Sequence, residues 1–179
     1  MIYMFLADGF EEIEALATID ILRRADIKII TVGINGKQIT GAHDIIVTAD
    51  IEQNEINSND TRFDAIILPG GGIGTENLRS SDFVDKMIDK AMNDNKYICA
   101  ICAAPSILGV KGLLKDKEAI CFPGFEKYLT SAIISDKKVV CDGKIITAKS
   151  ANYAIDFALM ITKKIAGVEA MMKIKNAME

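Results

Sequence analysis

Two cysteines stand three residues apart, Cys99 and Cys102, where the apolar run "YICAIC" gives way to "AAPS". Three chemistries fit that spacing: a redox pair, two packing residues, or one reactive thiol beside a bystander. A strand ending near Ile101 and a helix starting near Ala103 put Cys102 on the turn between them. There the helix amides and dipole favour an anion, which predicts a lowered thiol pKa. Cys99 lies inside the strand, held in extended backbone and packed against a covering helix. A thioredoxin-type pair needs both sulfurs at the start of one helix, which this placement does not supply. Ala100, Ala103 and Ala104 are small enough for a nucleophile elbow, a tight turn that exposes its side chain, and Pro105 suits the first turn of the helix that follows. The alternative is that Cys102 is a small buried residue, as free cysteine often is.

Two further stretches carry chemistry. In "PGGGIG", residues 69–74, the glycines follow a later strand instead of the first βα unit, so the dinucleotide fingerprint does not apply. They supply the dihedrals of a tight turn. Exposed amides of Gly71 or Gly72, facing Cys102 together with the amide of Ala103, would form an oxyanion hole. In "GFEEIEALATI", residues 9–19, Glu11 and Glu12 are ordinary complements to a helix dipole. Glu14 differs: it shares a helical row with Phe10, Ala17 and Ile21, which sets a carboxyl among apolar side chains. Burial raises a carboxyl pKa, and a protonated Glu14 could donate a hydrogen bond to a thiolate. The alternative is a carboxylate projecting to solvent from the edge of that row.

The elements that must position these groups follow from the hydrophobic pattern. "IYMFLAD", "IKIITVGI", "FDAIILP" and "KYICAI" read as buried strands, with "HDIIVTAD" weaker and a polar loop through Asn54 to Asp60 after it. "GFEEIEALATIDILRRA", "SSDFVDKMIDKAMNDN", "APSILGVKGLL" and "SANYAIDFALMITKKIAG" read as helices, the third from its first turn. Ser80 or Ser81 caps the second, and Ser150 caps the last, which stops at Gly167. "VEAMMKIKNAME" forms a final short helix. "KEAICF", "KKVVCDG" and "KIITA" are short strands, the last two a hairpin around Asp142 and Gly143. Apolar strands without alternation, separated by helices, predict a doubly wound α/β fold: a mostly parallel sheet with helices on both faces, in one domain spanning residues 1–179. Ligands bind beyond the carboxyl ends of such strands, and "ADGFEE", "PGGGIG" and "CAAP" sit at three of those ends.

Composition narrows the partners. A formal charge of -4, with lysines and acids interspersed, gives no basic face, so no nucleic-acid binding is expected. No apolar stretch reaches the roughly 20 residues of a membrane span, and the start lacks a basic n-region, so no membrane partner and a cytoplasmic location are expected. The four cysteines are expected to be free. With His43 as the single histidine, neither a metal nor a cofactor is expected.

The segments "GFEEIEA", "DILRRADIKI", "DAIILPGGGIGTENL", "AICAAP" and "IDFAL", in this order and spacing, resemble the ThiJ/PfpI family over nearly the whole chain. The family includes the Parkinsonism-associated deglycase and has the flavodoxin-like, class I glutamine amidotransferase-like fold. The resemblance implies that Cys102 is the oxidisable elbow cysteine, Glu14 its partner, and Gly71 and Ala103 the backbone donors nearby. It implies a homodimer as well, and the first helix fits one: Leu16, Ile19, Ile21, Leu22 and Ala25 spread apolar surface over more than one face. Arg24 would then approach the site across the interface and attract anions, as would His43. One departure stands out. Branches with a Cys-His dyad carry histidine just before the proline of "CFPGFEK", where this chain has Phe122.

Three functions follow from the resemblance. The first is a Glu14-assisted Cys102 nucleophile acting on a small-molecule carbonyl substrate, in glyoxalase or deglycase chemistry. The second is an oxidative-stress sensor or redox-regulated chaperone working through oxidation of Cys102. The third, an amidase or cysteine peptidase, lacks an evident imidazole base.

Overall fold

The computed structural model describes residues 1–57 and 61–178. Strand β1 (Ile2–Leu6) leads into helix α1 (Glu12–Arg24), then β2 (Ile29–Gly33), β3 (Gln38–Thr40), β4 (Ile46–Thr48) and β5 (Ile51–Glu52). β6 (Ala65–Leu68) is followed by α2 (Gly72–Arg79) and α3 (Asp82–Asn93), and β7 (Tyr97–Ile101) by α4 (Pro105–Val110). The short strands β8 (Glu118–Ala119), β9 (Ile133–Ile134), β10 (Val139–Asp142) and β11 (Ile145–Ala148) precede the last helix, α5 (Ala154–Ala177).

β10, β11, β7, β6, β1, β2 and β5 form one seven-stranded sheet in that order. All its neighbours are parallel except β10 and β11, the expected hairpin. Chain order reverses between β1 and β6, which makes their carboxyl ends the switch point where such folds bind ligands. Alternate residues of β1 serve opposite faces, as the pleat requires. Tyr3 and Phe5 pack with Val84, Met87 and Ile88 of α3 and Leu108 of α4. Ile2, Met4 and Leu6 pack with Ala15, Ile19 and Leu22 of α1 and Phe157 and Ile161 of α5. Burying an apolar side chain of that size contributes about 1.5–3 kcal/mol. The two apolar layers therefore hold the strand ends in fixed relative positions.

Several expectations are refined. β4 does not join the main sheet: it pairs antiparallel with β3 as a separate ribbon. The glycine run read as a turn also opens an eight-residue helix, α2. Ser81 caps α3, its Oγ accepting from the Val84 amide at 3.3 Å. Ser150 makes no side-chain capping hydrogen bond, and a 3-10 turn at Ala151–Tyr153 intervenes before α5. Gly167, at φ 93°, breaks α5 where a stop was expected. The polar loop after β5 begins as a 3-10 turn at Gln53–Glu55, and the end of that loop, residues 58–60, lies outside the described residues. The apolar surface of α1 is also largely accounted for within the chain. Ile19 and Leu22 face the sheet, and Ile21 packs with Ala158, Leu159 and Ile174 of α5. Ile13 and Leu16 are left exposed.

Candidate active site

Cys102 follows directly on β7 and adopts φ +63°, a left-handed conformation that costs a side-chain-bearing residue free energy and persists only where its surroundings enforce it. Two backbone hydrogen bonds do so. The Cys102 amide donates to the Ala148 carbonyl at 2.9 Å, and the Cys102 carbonyl accepts from the Phe122 amide at 2.7 Å. The elbow is thus pinned between β11 and the segment after β8. Cys99, inside β7, is fully buried, and all four cysteines are free.

Glu14 reaches the elbow from the first turn of α1. It is 1% exposed, which settles the row question in favour of burial. Its Oε2 accepts the Gly70 amide at 2.8 Å. Its Oε1 is buried without a hydrogen-bond partner, and the Cys102 side chain lies beside the carboxyl across Gly70. Gly70 makes this meeting possible. A Cβ there would lie 2.6 Å from Glu14 Oε2 and 2.8 Å from the Cys102 Cβ, so any side chain would drive the two groups apart. Gly71 has a different requirement: its φ of +87° lies in the left-handed region that favours glycine, and its amide, like that of Ala103, pulls the Cys102 thiol pKa down. Gly71 and Ala103, both expected from the sequence, are brought together with Glu14 and Cys102.

The electrostatics correct one expectation. Burial pushes the Glu14 carboxyl up to about 7, helped by the charge of Glu11 and opposed by the hydrogen bonds from Cys102 and Gly70. The Cys102 thiol is also pushed up, first by burial and then by the Glu14 charge, against the pull of the Ala103 and Gly71 amides. The lowered thiol pKa expected of a helix N-terminus does not arise. α4 begins only at Pro105, three residues beyond the sulfur, and a carboxyl instead of a cation stands beside it. Near neutrality the thiol therefore keeps its own proton while the Glu14 carboxyl is partly ionised, which leaves Glu14 as the group beside the sulfur that can act as a base.

His43 lies at the other side of the α1 N-terminus. Its amide donates to Glu12 Oε1 at 2.7 Å and its Nδ1 lies 2.9 Å from Glu12 Oε2. Glu12, read from the sequence as a simple dipole complement, is in fact buried and anchors this loop. One ligand atom each from Glu11, Glu12 and His43 falls within 4.8 Å of the others, a grouping of metal-binding type among the described residues. Both Glu12 oxygens are already engaged by His43, which accounts for the cluster without an ion. The hydrogen bond to Glu12 raises the His43 pKa. Its stabilising contribution is therefore fully present below the unfolded value and lost as pH rises through the folded one. Thermal unfolding should show a larger gap between wild type and His43→Gln at about pH 6 than at about pH 9; a gap that widens toward high pH would refute the assignment.

Arg24 is not brought to the elbow within its own chain. It pairs with Asp20 at 2.7 Å, ten residues or about 15 Å along α1 from Glu14. Phe122 stands next to the elbow through its backbone, its side chain 43% exposed, where a Cys-His pair would need an imidazole.

Residues 1–164 match the family model described as the DJ-1/PfpI family. The chain belongs to the DJ-1/PfpI family. It is 32% identical over 178 residues to protein dj-1beta of Drosophila melanogaster, a match covering 98% of this chain and 94% of that one. It is 34% identical over 174 residues to protein DJ-1 homolog B of Arabidopsis thaliana, covering 96% of this chain but 39% of that longer protein. The structure of oxidized Toxoplasma gondii DJ-1 matches with a TM-score of 0.94 at 29% identity, covering 99% of this chain and 96% of that one. The DJ-1/PfpI assignment agrees with the flavodoxin-like sheet and its switch point between β1 and β6. No helix among the described residues is long and apolar enough to cross a membrane.

Proposed function

We propose that this DJ-1/PfpI protein converts small α-oxoaldehydes to hydroxy acids through Cys102 and Glu14, without an external cofactor. The observation that supports this best is the buried Glu14 carboxyl set beside the elbow thiol across Gly70. With methylglyoxal, the sulfur adds to the aldehyde carbon while the thiol proton passes to Glu14. A C–S bond forms, the carbonyl π pair moves to oxygen, and the Gly71 and Ala103 amides face that oxyanion until Glu14 hands it the proton taken from sulfur and becomes a carboxylate again. Glu14 then takes the C1 proton and returns one to C2, which turns the hemithioacetal into a lactoyl thioester with no net oxidation. Water cleaves the thioester and restores the thiol, so methylglyoxal plus water gives lactate. Displacement by the same sulfur at the hemiaminal or hemithioacetal carbon of a glycated amine or thiol, with the C–N or C–S bond breaking and Glu14 passing the Cys102 proton to the leaving group, gives the same hemithioacetal and hence deglycase chemistry.

Purified protein with methylglyoxal and no added thiol is expected to accumulate lactate, followed enzymatically. Loss of methylglyoxal without lactate would sink the proposal, because it would leave only adduct formation.

A second reading has its own support. A DJ-1 of Toxoplasma gondii has been solved in oxidized form, and a sulfinate on Cys102 would find an acidic proton on Glu14 and two amide donors around it. Under mild peroxide, intact mass spectrometry separates the readings. Selective gain of two oxygens at Cys102 in a protein that forms no lactate assigns the sensor role. An amidase or peptidase role has the least support, since Phe122 occupies the place beside the elbow and His43 is engaged by Glu12. A homodimer would use Ile13 and Leu16, the apolar side chains of α1 that the chain itself leaves exposed, and would carry Arg24 toward the partner's site.

A further inference from the structure

We propose that Arg79, at the last turn of α2, is a positioning residue that sets the Cys102 elbow through Ser106. The inference rests on the reading of Cys102 as the reactive thiol. α2 starts immediately after Gly71, whose amide pulls the Cys102 thiol pKa down, and ends at Arg79. From there the guanidinium crosses to α4, where Nη2 donates to Ser106 Oγ at 2.7 Å. Ser106 is fully buried, and its hydroxyl donates in turn to the Ala103 carbonyl at 2.6 Å; the Ser106 amide donates to the same oxygen at 3.1 Å.

Ala103, the residue directly after the reactive thiol, is therefore held through its carbonyl by both the hydroxyl and the amide of Ser106. A cationic donor at the head of such a chain strengthens the bond that follows it. The link joins the two elements that carry the two amides at Cys102: Gly71 at the start of α2 and Ala103 on the elbow. A left-handed, non-glycine residue such as Cys102 requires that kind of external constraint.

The placement of Arg79 is itself tightly specified. Nη1 lies 3.0 Å from Glu76 Oε1, one turn back on α2, and the guanidinium carbon lies 5.3 Å above the centre of the Tyr128 ring. Nε is buried without a partner, so the side chain forgoes one hydrogen bond to hold this position. One planar fork serves Ser106 and Glu76 while stacking on Tyr128, which a lysine cannot do at once. Lysine does keep a cationic donor within reach of Ser106.

The test is alkylation of Cys102 by iodoacetamide, read by peptide-resolved mass spectrometry across pH, in wild type, Arg79→Ala, Arg79→Lys and Ser106→Ala. Circular dichroism serves as a folding control. With the amides displaced from the sulfur, Arg79→Ala and Ser106→Ala are expected to move the alkylation profile to higher pH, slowing the reaction about tenfold near neutrality. Arg79→Lys is expected to recover part of that loss. Where methylglyoxal is turned over, kcat falls by a similar factor with KM unchanged. Folded Arg79→Ala and Ser106→Ala proteins whose alkylation profiles match wild type would overturn the inference and leave Arg79 a stabilising contact only. Alkylation reads the elbow whether or not lactate is formed, so failure of the proposed reaction and failure of this inference are separate results.

Discussion

Cys102→Ser is expected to reduce lactate formation from methylglyoxal by at least about a thousandfold while leaving the protein folded. The substitution keeps the size of the side chain and the backbone demand at φ +63°. The elbow, pinned by Ala148 and Phe122 through its backbone, should therefore stay in place. What changes is the nucleophile. A thiol that transfers its proton to a carboxyl of pKa about 7 becomes an alcohol that such a weak base cannot activate. The Gly71 and Ala103 amides remain, but they act on an oxyanion that no longer forms. Adding Glu14→Gln to Cys102→Ser should cost almost nothing more, because the two groups act as one unit and removal of either stops the same step. Initial rates in the two single variants and the double variant measure this. Turnover in Cys102→Ser within tenfold of wild type would exclude covalent catalysis at this residue.

The central strands and the major helices were legible because they are decided by long apolar segments: β1, β6 and β7 are buried on both faces and read as unbroken apolar runs. The short helix α2 was not legible, since its first residues are Gly72, Ile73 and Gly74, which local propensity assigns to a turn. Tertiary contact decides it: the Gly74 amide donates to the Gly9 carbonyl at 3.0 Å, which seats the start of α2 on the loop after β1.

The same division holds at the site. Glu14 was legible from its row, and Cys102 from its place on a turn between small residues. Gly70 was not distinguished from its neighbours, although it alone touches both Glu14 and Cys102. Three glycines in succession look equivalent in a sequence, whereas a Cβ at Gly70 would meet Glu14 and Cys102, one at Gly71 the backbone of residues 9–11, and one at Gly72 open space. The direction of the thiol pKa was misread for a similar reason. The helix dipole is a local property that sequence can suggest, but the charge beside the sulfur arrives from α1, 88 positions earlier in the chain. Glu12 escaped notice because its partner, His43, lies on a loop 31 residues away.

Glu14→Gln is expected to lower kcat for methylglyoxal by about 10²–10⁴-fold, the usual range for loss of a positioned general base. It should also remove a limb from the pH profile. In wild type the reaction needs Glu14 as the carboxylate that takes the thiol proton, so kcat/KM should rise with pH through about 7 with a dependence on one proton. Glutamine can still accept the Gly70 amide through its Oε1, which preserves the contact that orients the side chain. Stability should move in the opposite direction to activity. The Glu14 carboxyl is raised in the folded state, so between about 4.5 and about 7 the native protein holds a proton that the unfolded chain has released. Native stability is then greatest at the acid end of that window and falls as pH rises toward 7, beyond which the full cost of burying the carboxylate remains. A shift of this size corresponds to an energy on the order of 3 kcal/mol. Glu14→Gln escapes that cost, so urea unfolding above neutral pH should show the variant to be the more stable protein. The gap should close as pH falls through the same window. A variant less stable than wild type across the whole range would mean that Glu14 holds the fold together instead of being held by it, and the assignment of Glu14 as a strained, buried base would fail.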